Sequence, residues 1–113
     1  MKKGHFDKLI EVIVHDVIQT RDEGQEEYAH TTDNVFANFE RIANVQDLDR
    51  KQILMTYLLK HIDGIMAYIK GHTSQREDVT GRLKDAIVYL MLLWGMIEEE
   101  RSNNGEYKSS KDK

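Results

Sequence analysis

The sequence predicts an all-α fold, a bundle of four to five helices. Three observations carry this: the 113 residues include no proline, the seven glycines fall mostly between periodic segments, and apolar residues recur at steps of three and four. No segment alternates with strand periodicity, and there is no internal repeat. Hydrophobic residues at 40% and charged residues at 32% suit a helical protein with a core better than a disordered chain. A single layer of helices this short buries a limited core, so completion by a second copy is expected.

The first helix is expected from about His5 to Thr20, with Phe6, Leu9, Ile10, Ile13 and Val17 on its inner face. "RDEGQEEYAHTTD" then breaks the pattern with polar residues and Gly24. A short second helix fits "DNVFANFERIANV", capped by Thr32 or Asp33, with Val35, Phe36, Phe39, Ile42 and Ala43 inward. The third runs from Asp47 or Asp49 to Lys70, stopped by Gly71. Leu54, Leu58, Ile62, Ile65 and Ile69 form its stripe, widened by Met55, Leu59 and Met66. Ser74 followed by Glu77 reads as a capping box opening a fourth helix that ends near Arg101. From Ala86 to Ile97 that helix is apolar nearly all round, which calls for cover from its own chain and from a partner copy. A single domain over residues 1–101 and a polar, flexible tail over 102–113 complete the plan.

Charge and composition exclude several classes. Net charge is −4, from 16 basic and 20 acidic residues, which gives no general attraction to nucleic acid. Cysteine is absent, so disulfide scaffolds and thiolate metal sites are excluded. The amino terminus lacks the pattern of a secretory signal, and no segment reaches the length of a membrane span, so no membrane association is expected. A cytoplasmic location is the expectation. The five histidines are scattered, and no phosphate-cradling glycine loop, nucleophile elbow or HExxH occurs.

The polar residues of the fourth helix raise the functional question. Asp78, Arg82 and Asp85 lie along one row, and the plain reading is an exposed chain of ion pairs. Asp85 fits that reading poorly, because the row continues through Tyr89, Leu92 and Met96, and a carboxylate beside an apolar zone is costly to desolvate. Glu77 is eight residues earlier, roughly 12 Å along a helix axis. At that distance the two acids cannot chelate one small ion alone, but they can flank a polyphosphate whose Mg²⁺ is shared with acids of another helix. Glu23, Glu26 and Glu27 are candidates for those acids, although a solvated acidic face explains them too. His61 aligns with Tyr57, Ile65 and Tyr68 and reads as a core histidine. Lys60 either meets a phosphate or snorkels to water. Asn34 and Asn38 share one face of the short helix, where side-chain amides suit a base edge or ribose. Tyr57, Tyr68, Tyr89 and Trp94 fall at helical spacing among aliphatics, so they read as core before stacking platform.

The order of these blocks, "EEY" after an arginine, "NVFANFERIA", "LLKHIDGI" and "EDVTGRLKDAIVYLMLL", resembles the small MazG-like domains of phages and bacteria. These include the nucleotide modification associated domains of the all-α nucleoside triphosphate pyrophosphatases. The resemblance covers roughly residues 20–99. It implies a dimer or tetramer of helical bundles in which facing acids bind Mg²⁺ and a triphosphate, which water splits into monophosphate and pyrophosphate. Carried over by position, Glu26, Glu77 and Asp85 hold metal, and Glu27 and Asp85 take the catalytic role. Tyr28, Asn34, Asn38 and Lys60 would contact the nucleotide, and Arg82, itself a departure from the pattern, would either steady phosphate or neutralise Asp78 and Asp85. Two departures stand out: Gly81 and Arg82 occupy places where active members carry a further acid, and the earlier acids do not form a clean EExxE. The leading expectation is Mg²⁺-dependent binding and hydrolysis of a (deoxy)nucleoside triphosphate by a homo-oligomer, in the host cytoplasm if the chain is phage-encoded. The alternatives are a helical interaction protein acting on a host protein, and a protein that sequesters nucleotide intact.

Overall fold

In the computed structural model, the described residues are 1–29, 33–72 and 77–103, with side chains described for all of these except 26–29. They form four helices: α1 (Lys3–Ala29), α2 (Ala37–Gln46), α3 (Arg50–Ile69) and α4 (Val79–Asn103). No strand occurs among them, so the all-α expectation holds. No helix is long and apolar enough to cross a membrane.

The core sits where α2 lies across the α3–α4 pair. Phe36, Phe39 and Ala43 meet Ile53, Leu54 and Met96, with Tyr57, Tyr89, Leu92 and Leu93 packed around them. Leu54 and Met96 are fully buried. Burial of a Leu side chain contributes about 2 kcal/mol. Phe39 presents its ring edge-on to both Tyr57 and Tyr89, at centroid distances of 6.1 Å. Phe36 reaches α4 because residue 95 is glycine: a Cβ there would sit 3.0 Å from the ring.

Residues at the start of α3 meet residues near the end of α4, and later ones meet earlier ones, so the two helices are antiparallel. Arg50 is the clip at one end. Its guanidinium donates to Glu40 of α2 at 2.8 Å, to Glu99 at 2.9 Å and to the carbonyl of Met96 at 3.3 Å. The same group lies 5.0 Å from the centroid of Phe36. Lys51 adds a bond of 2.7 Å to Glu100. A cation at a helix N-terminus opposes the helix dipole, as do acids at a C-terminus, and here the two unfavourable ends neutralise each other. Asp49 caps α3 in a box with Gln52. At the far end Gly71, at φ +93°, turns the chain, and His72 N–H donates to the Ala67 carbonyl, which closes a Schellman-type stop.

Four boundaries and faces differ from expectation. α1 does not break at Gly24 but continues to Ala29; one glycine costs about 1 kcal/mol and does not end a helix by itself. Of its expected inner face only Val17 is buried, and Phe6, Leu9 and Ile10 are exposed. The reason is length: Asp16 meets Lys84 in the second turn of α4, so the earlier part of α1 runs past the start of that helix. On α3, Ile53 is buried instead of Ile62 and Ile69, which face outward, because α2 covers only the first half of α3. α4 begins at Val79, with the Asp78 carboxylate accepting the Thr80 N–H at 3.1 Å. Ahead of α2, which begins at Ala37, Asn34 rather than the expected Asp33 does the corresponding work, accepting the Phe36 N–H at 3.0 Å. The expected caps Thr32 and Ser74 lie outside the described residues, as does the tail beyond Asn103.

Arg50→Ala removes three charge-assisted contacts and a ring contact and leaves acids of two helices unpaired. We expect a loss of about 3 kcal/mol, read as a lower urea midpoint. Arg50→Lys keeps the charge but not the planar fork, and should recover less than half of that loss.

Candidate functional site

Asp85 sits in α4 one turn before Tyr89, on the row that ends in fully buried Met96, as its spacing implies. The antiparallel register brings His61 of α3 opposite it, with Nδ1 3.7 Å from an Asp85 carboxylate oxygen. The Tyr89 ring packs 5.5 Å from the imidazole, centroid to centroid. His61 is 18% exposed and Asp85 30%. The His61 Nδ1 atom itself is buried and has no hydrogen-bond partner. His61 is thus not a satisfied core histidine but an imidazole held against a carboxylate.

Glu77 joins them. Because α4 starts at Val79, Glu77 precedes the helix, and the two-turn separation expected for residues 77 and 85 does not apply. Its carboxylate lies over the first turn, where a Cβ on Gly81 would be 3.3 Å from Oε1. His61, Glu77 and Asp85 each offer one donor atom, and these atoms lie within 4.8 Å of one another. The inference that Glu77 and Asp85 cannot share one small ion is therefore corrected. Gly81, having no Cβ, leaves room for Glu77 to take this position.

Desolvation raises the Asp85 pKa above its ordinary value, the neighbouring Glu77 carboxylate adds to the rise, and His61 and Lys84 oppose it. Lys84 is itself directed to Asp16, at 3.6 Å. Arg82 does not pair with Asp85. It lies along α3 against Gly64, where any Cβ would collide with it, and its Nε is buried without a partner. The expected chain of ion pairs through Asp78, Arg82 and Asp85 is absent among the described residues; Asp78 accepts instead from Thr80, which lowers its pKa.

Asp85 and His61 line a cleft of about 670 Å³ between α1, α2, α3 and α4. Phe39, Tyr57 and Tyr89 form one wall, with the two tyrosine rings nearly parallel at 9° and 6.3 Å apart. Thr20, Arg21, Glu23 and Gln25 of α1 and Asn38 of α2 supply polar groups. The cleft combines an aromatic wall, an amide, a guanidinium and, at its edge, a carboxylate pair with an imidazole. That suits a ligand with a flat ring at one end and anionic oxygens on a cation at the other.

The expected site residues fall into three groups. Glu77, Asp85 and Asn38 come to the cleft or its edge, Asn38 with its amide oxygen accepting from Arg41 at 3.1 Å. Asn34, Lys60 and Arg82 are not part of the described lining: Asn34 bonds Glu40 at 2.6 Å, Lys60 is exposed, and Arg82 packs on Gly64. Glu26, Glu27 and Tyr28 belong to α1, but their side chains lie outside the described residues. His61 and Arg21 were not foreseen as site residues. The Asp85–Tyr89–Leu92 row was the available signal, since whatever faces it on α3 must face the acid.

No protein-family model, curated protein or solved structure matches this chain.

The Asp85 shift has a stability consequence. A carboxyl whose folded pKa is raised binds its proton more tightly in the folded than in the unfolded chain, so stability falls as pH rises from 3.8 through the folded value. Above that the penalty is complete. In the absence of added divalent cation, Asp85→Asn should melt higher than the parent at neutral pH. The advantage should shrink below pH 3.8, as followed by circular dichroism.

Proposed function

We propose that this chain binds a nucleoside triphosphate together with a divalent cation and hydrolyses it to monophosphate and pyrophosphate. The observation that supports this reading is Asp85: a half-buried carboxylate, raised in pKa by burial, beside Glu77 and His61 at the edge of a cleft with an aromatic wall. Holding a carboxylate there costs stability, and a bound cation would offset that cost.

The reaction adds water to one phosphorus and breaks its bond to the bridging oxygen, so pyrophosphate leaves as the stable fragment. Asp85 and Glu77 would hold the cation, Mg²⁺ if the two acids act alone, and when bound it would supply neutralisation of phosphate charge and a lowered pKa for its water. Arg21, which lines the cleft and is ion-paired with Asp22 at 2.9 Å, is placed to reach phosphate oxygens. Asn38 offers an amide to the base or sugar, and Tyr57 and Tyr89 offer an aromatic surface. On the resemblance alone, Glu27 would orient water and Glu26 would add to the cation site.

Incubation with a panel of canonical and modified triphosphates should release pyrophosphate in the presence of divalent cation. Asp85→Asn should lower the rate by about 100-fold or more. Binding without release, with nucleotide recovered intact, would replace hydrolysis by sequestration; neither binding nor release would remove the reading.

Assembly belongs to the same proposal. Leu83, Ile87, Leu90, Met91 and Trp94 leave one side of α4 exposed, Trp94 by 69%, and Phe6, Leu9 and Ile10 do the same on α1. Contiguous apolar surface of this kind is what a second copy would cover. Light scattering should give a dimer or tetramer at micromolar concentration, and Leu90→Glu with Trp94→Glu should shift it toward monomer. The second functional reading, a docking module for another protein, draws on this same face. A monomer that captures a host protein irrespective of Asp85→Asn would select it.

A further inference from the structure

We propose that His61, Glu77 and Asp85 form a mixed nitrogen–oxygen site that takes a borderline transition ion, represented by Zn²⁺, in preference to Mg²⁺. The proposal deepens the nucleotide reading. It relies on that reading for the ion's purpose, but not for its binding.

The donor set is the first argument. Mg²⁺ is held by oxygen ligands and water and keeps much of its hydration shell, whereas an imidazole nitrogen with carboxylates is a ligand set of zinc and its neighbours. Position is the second. Two donors each about 2.1 Å from a tetrahedral ion stand roughly 3.4 Å apart. The His61 Nδ1–Asp85 oxygen separation of 3.7 Å is close to that, and longer than a hydrogen bond. The three donor atoms, within 4.8 Å of one another, need only small side-chain rotations to close on one centre.

The third argument is what surrounds the imidazole. His61 Nδ1 is buried from solvent and bonded to nothing, while Tyr89 packs against the ring and restrains it. Arg82, on the same helix as Asp85, is laid against Gly64 instead, and Lys84 is shared with Asp16 at 3.6 Å. No other group of three such donors occurs among the described residues. Three protein ligands would leave a tetrahedral ion one open position for water or a phosphate oxygen, and two of the three, His61 and Asp85, line the cleft.

The test uses the full chain stripped of cations, with the chlorides of Zn²⁺, Co²⁺ and Mg²⁺ titrated singly by calorimetry. One Zn²⁺ per chain is expected, at least 100-fold tighter than Mg²⁺, with Co²⁺ giving a visible absorption band of low-symmetry coordination. His61→Ala should weaken Zn²⁺ by tenfold or more and abolish the Co²⁺ band, with little change for Mg²⁺. His15→Ala, at the other described imidazole beside an aspartate, should change neither. Far-UV dichroism and melting establish that the variants fold, and His61→Asn provides a second substitution of smaller volume change. Zn²⁺ affinity unchanged in both His61 variants, or Mg²⁺ binding within tenfold of Zn²⁺, would overturn the proposal. His61-dependent Zn²⁺ binding without nucleotide binding would leave this inference standing and remove the proposed function. Mg²⁺-supported turnover indifferent to His61 would do the reverse.

Discussion

The register of α3 against α4 is the constraint from which the rest of the structure follows. Leu54 and Met96 give it an apolar centre, but apolar contact alone tolerates sliding by a turn. Arg50 removes that freedom, since its donors must meet Glu40, Glu99 and the Met96 carbonyl at once. Near the other end Gly64 admits the Arg82 side chain and would admit no residue with a Cβ without displacing it. Between these two fixed points lie the Tyr57–Tyr89 pair and His61 opposite Asp85. A slip of one turn would separate the imidazole from the carboxylate. The clip and the site are coupled through geometry.

The cost of the site is carried by the same helices. Burial opposes ionisation of Asp85, and Glu77 beside it adds like-charge repulsion. In a fold of this size, with net stability a small difference of large terms, an unfavourable carboxylate is a considerable burden. The burden is confined to one point because Arg50 and Lys51 gather Glu40, Glu99 and Glu100 at the far end of the bundle. Acids are therefore divided between a neutralised cluster that holds the fold and the Asp85–Glu77 pair, which His61 and Lys84 offset only in part.

The exposed apolar surface has the same origin as the short core. α2 spans only the first half of α3, and α1 overshoots α4, so each long helix is covered along part of its length. Among the described residues, α1, α3 and α4 are each twenty residues or longer, whereas α2 has ten, so parts of the long helices keep an apolar face outside. Apolar residues left outside are then a property of the architecture.

The sequence by itself determined the helical class, the extent of α3 with Asp49 before it and Gly71 after it, the inward Phe36, Phe39, Ala43, Leu54 and Leu58, and the singular position of Asp85. Each of these is a local matter, of period, capping or adjacency along one helix. Only the tertiary structure decided that Glu77 precedes α4 and folds back to Asp85, that Arg82 leaves Asp85 for Gly64, and that His61 stands opposite the acid. It also decided that Arg50 is a clip and that Ile62 faces outward. These depend on which turn of one helix meets which turn of another, and helical periodicity repeats too regularly to specify that. The register is set by a few side chains at helix ends, whose partners lie far along the chain.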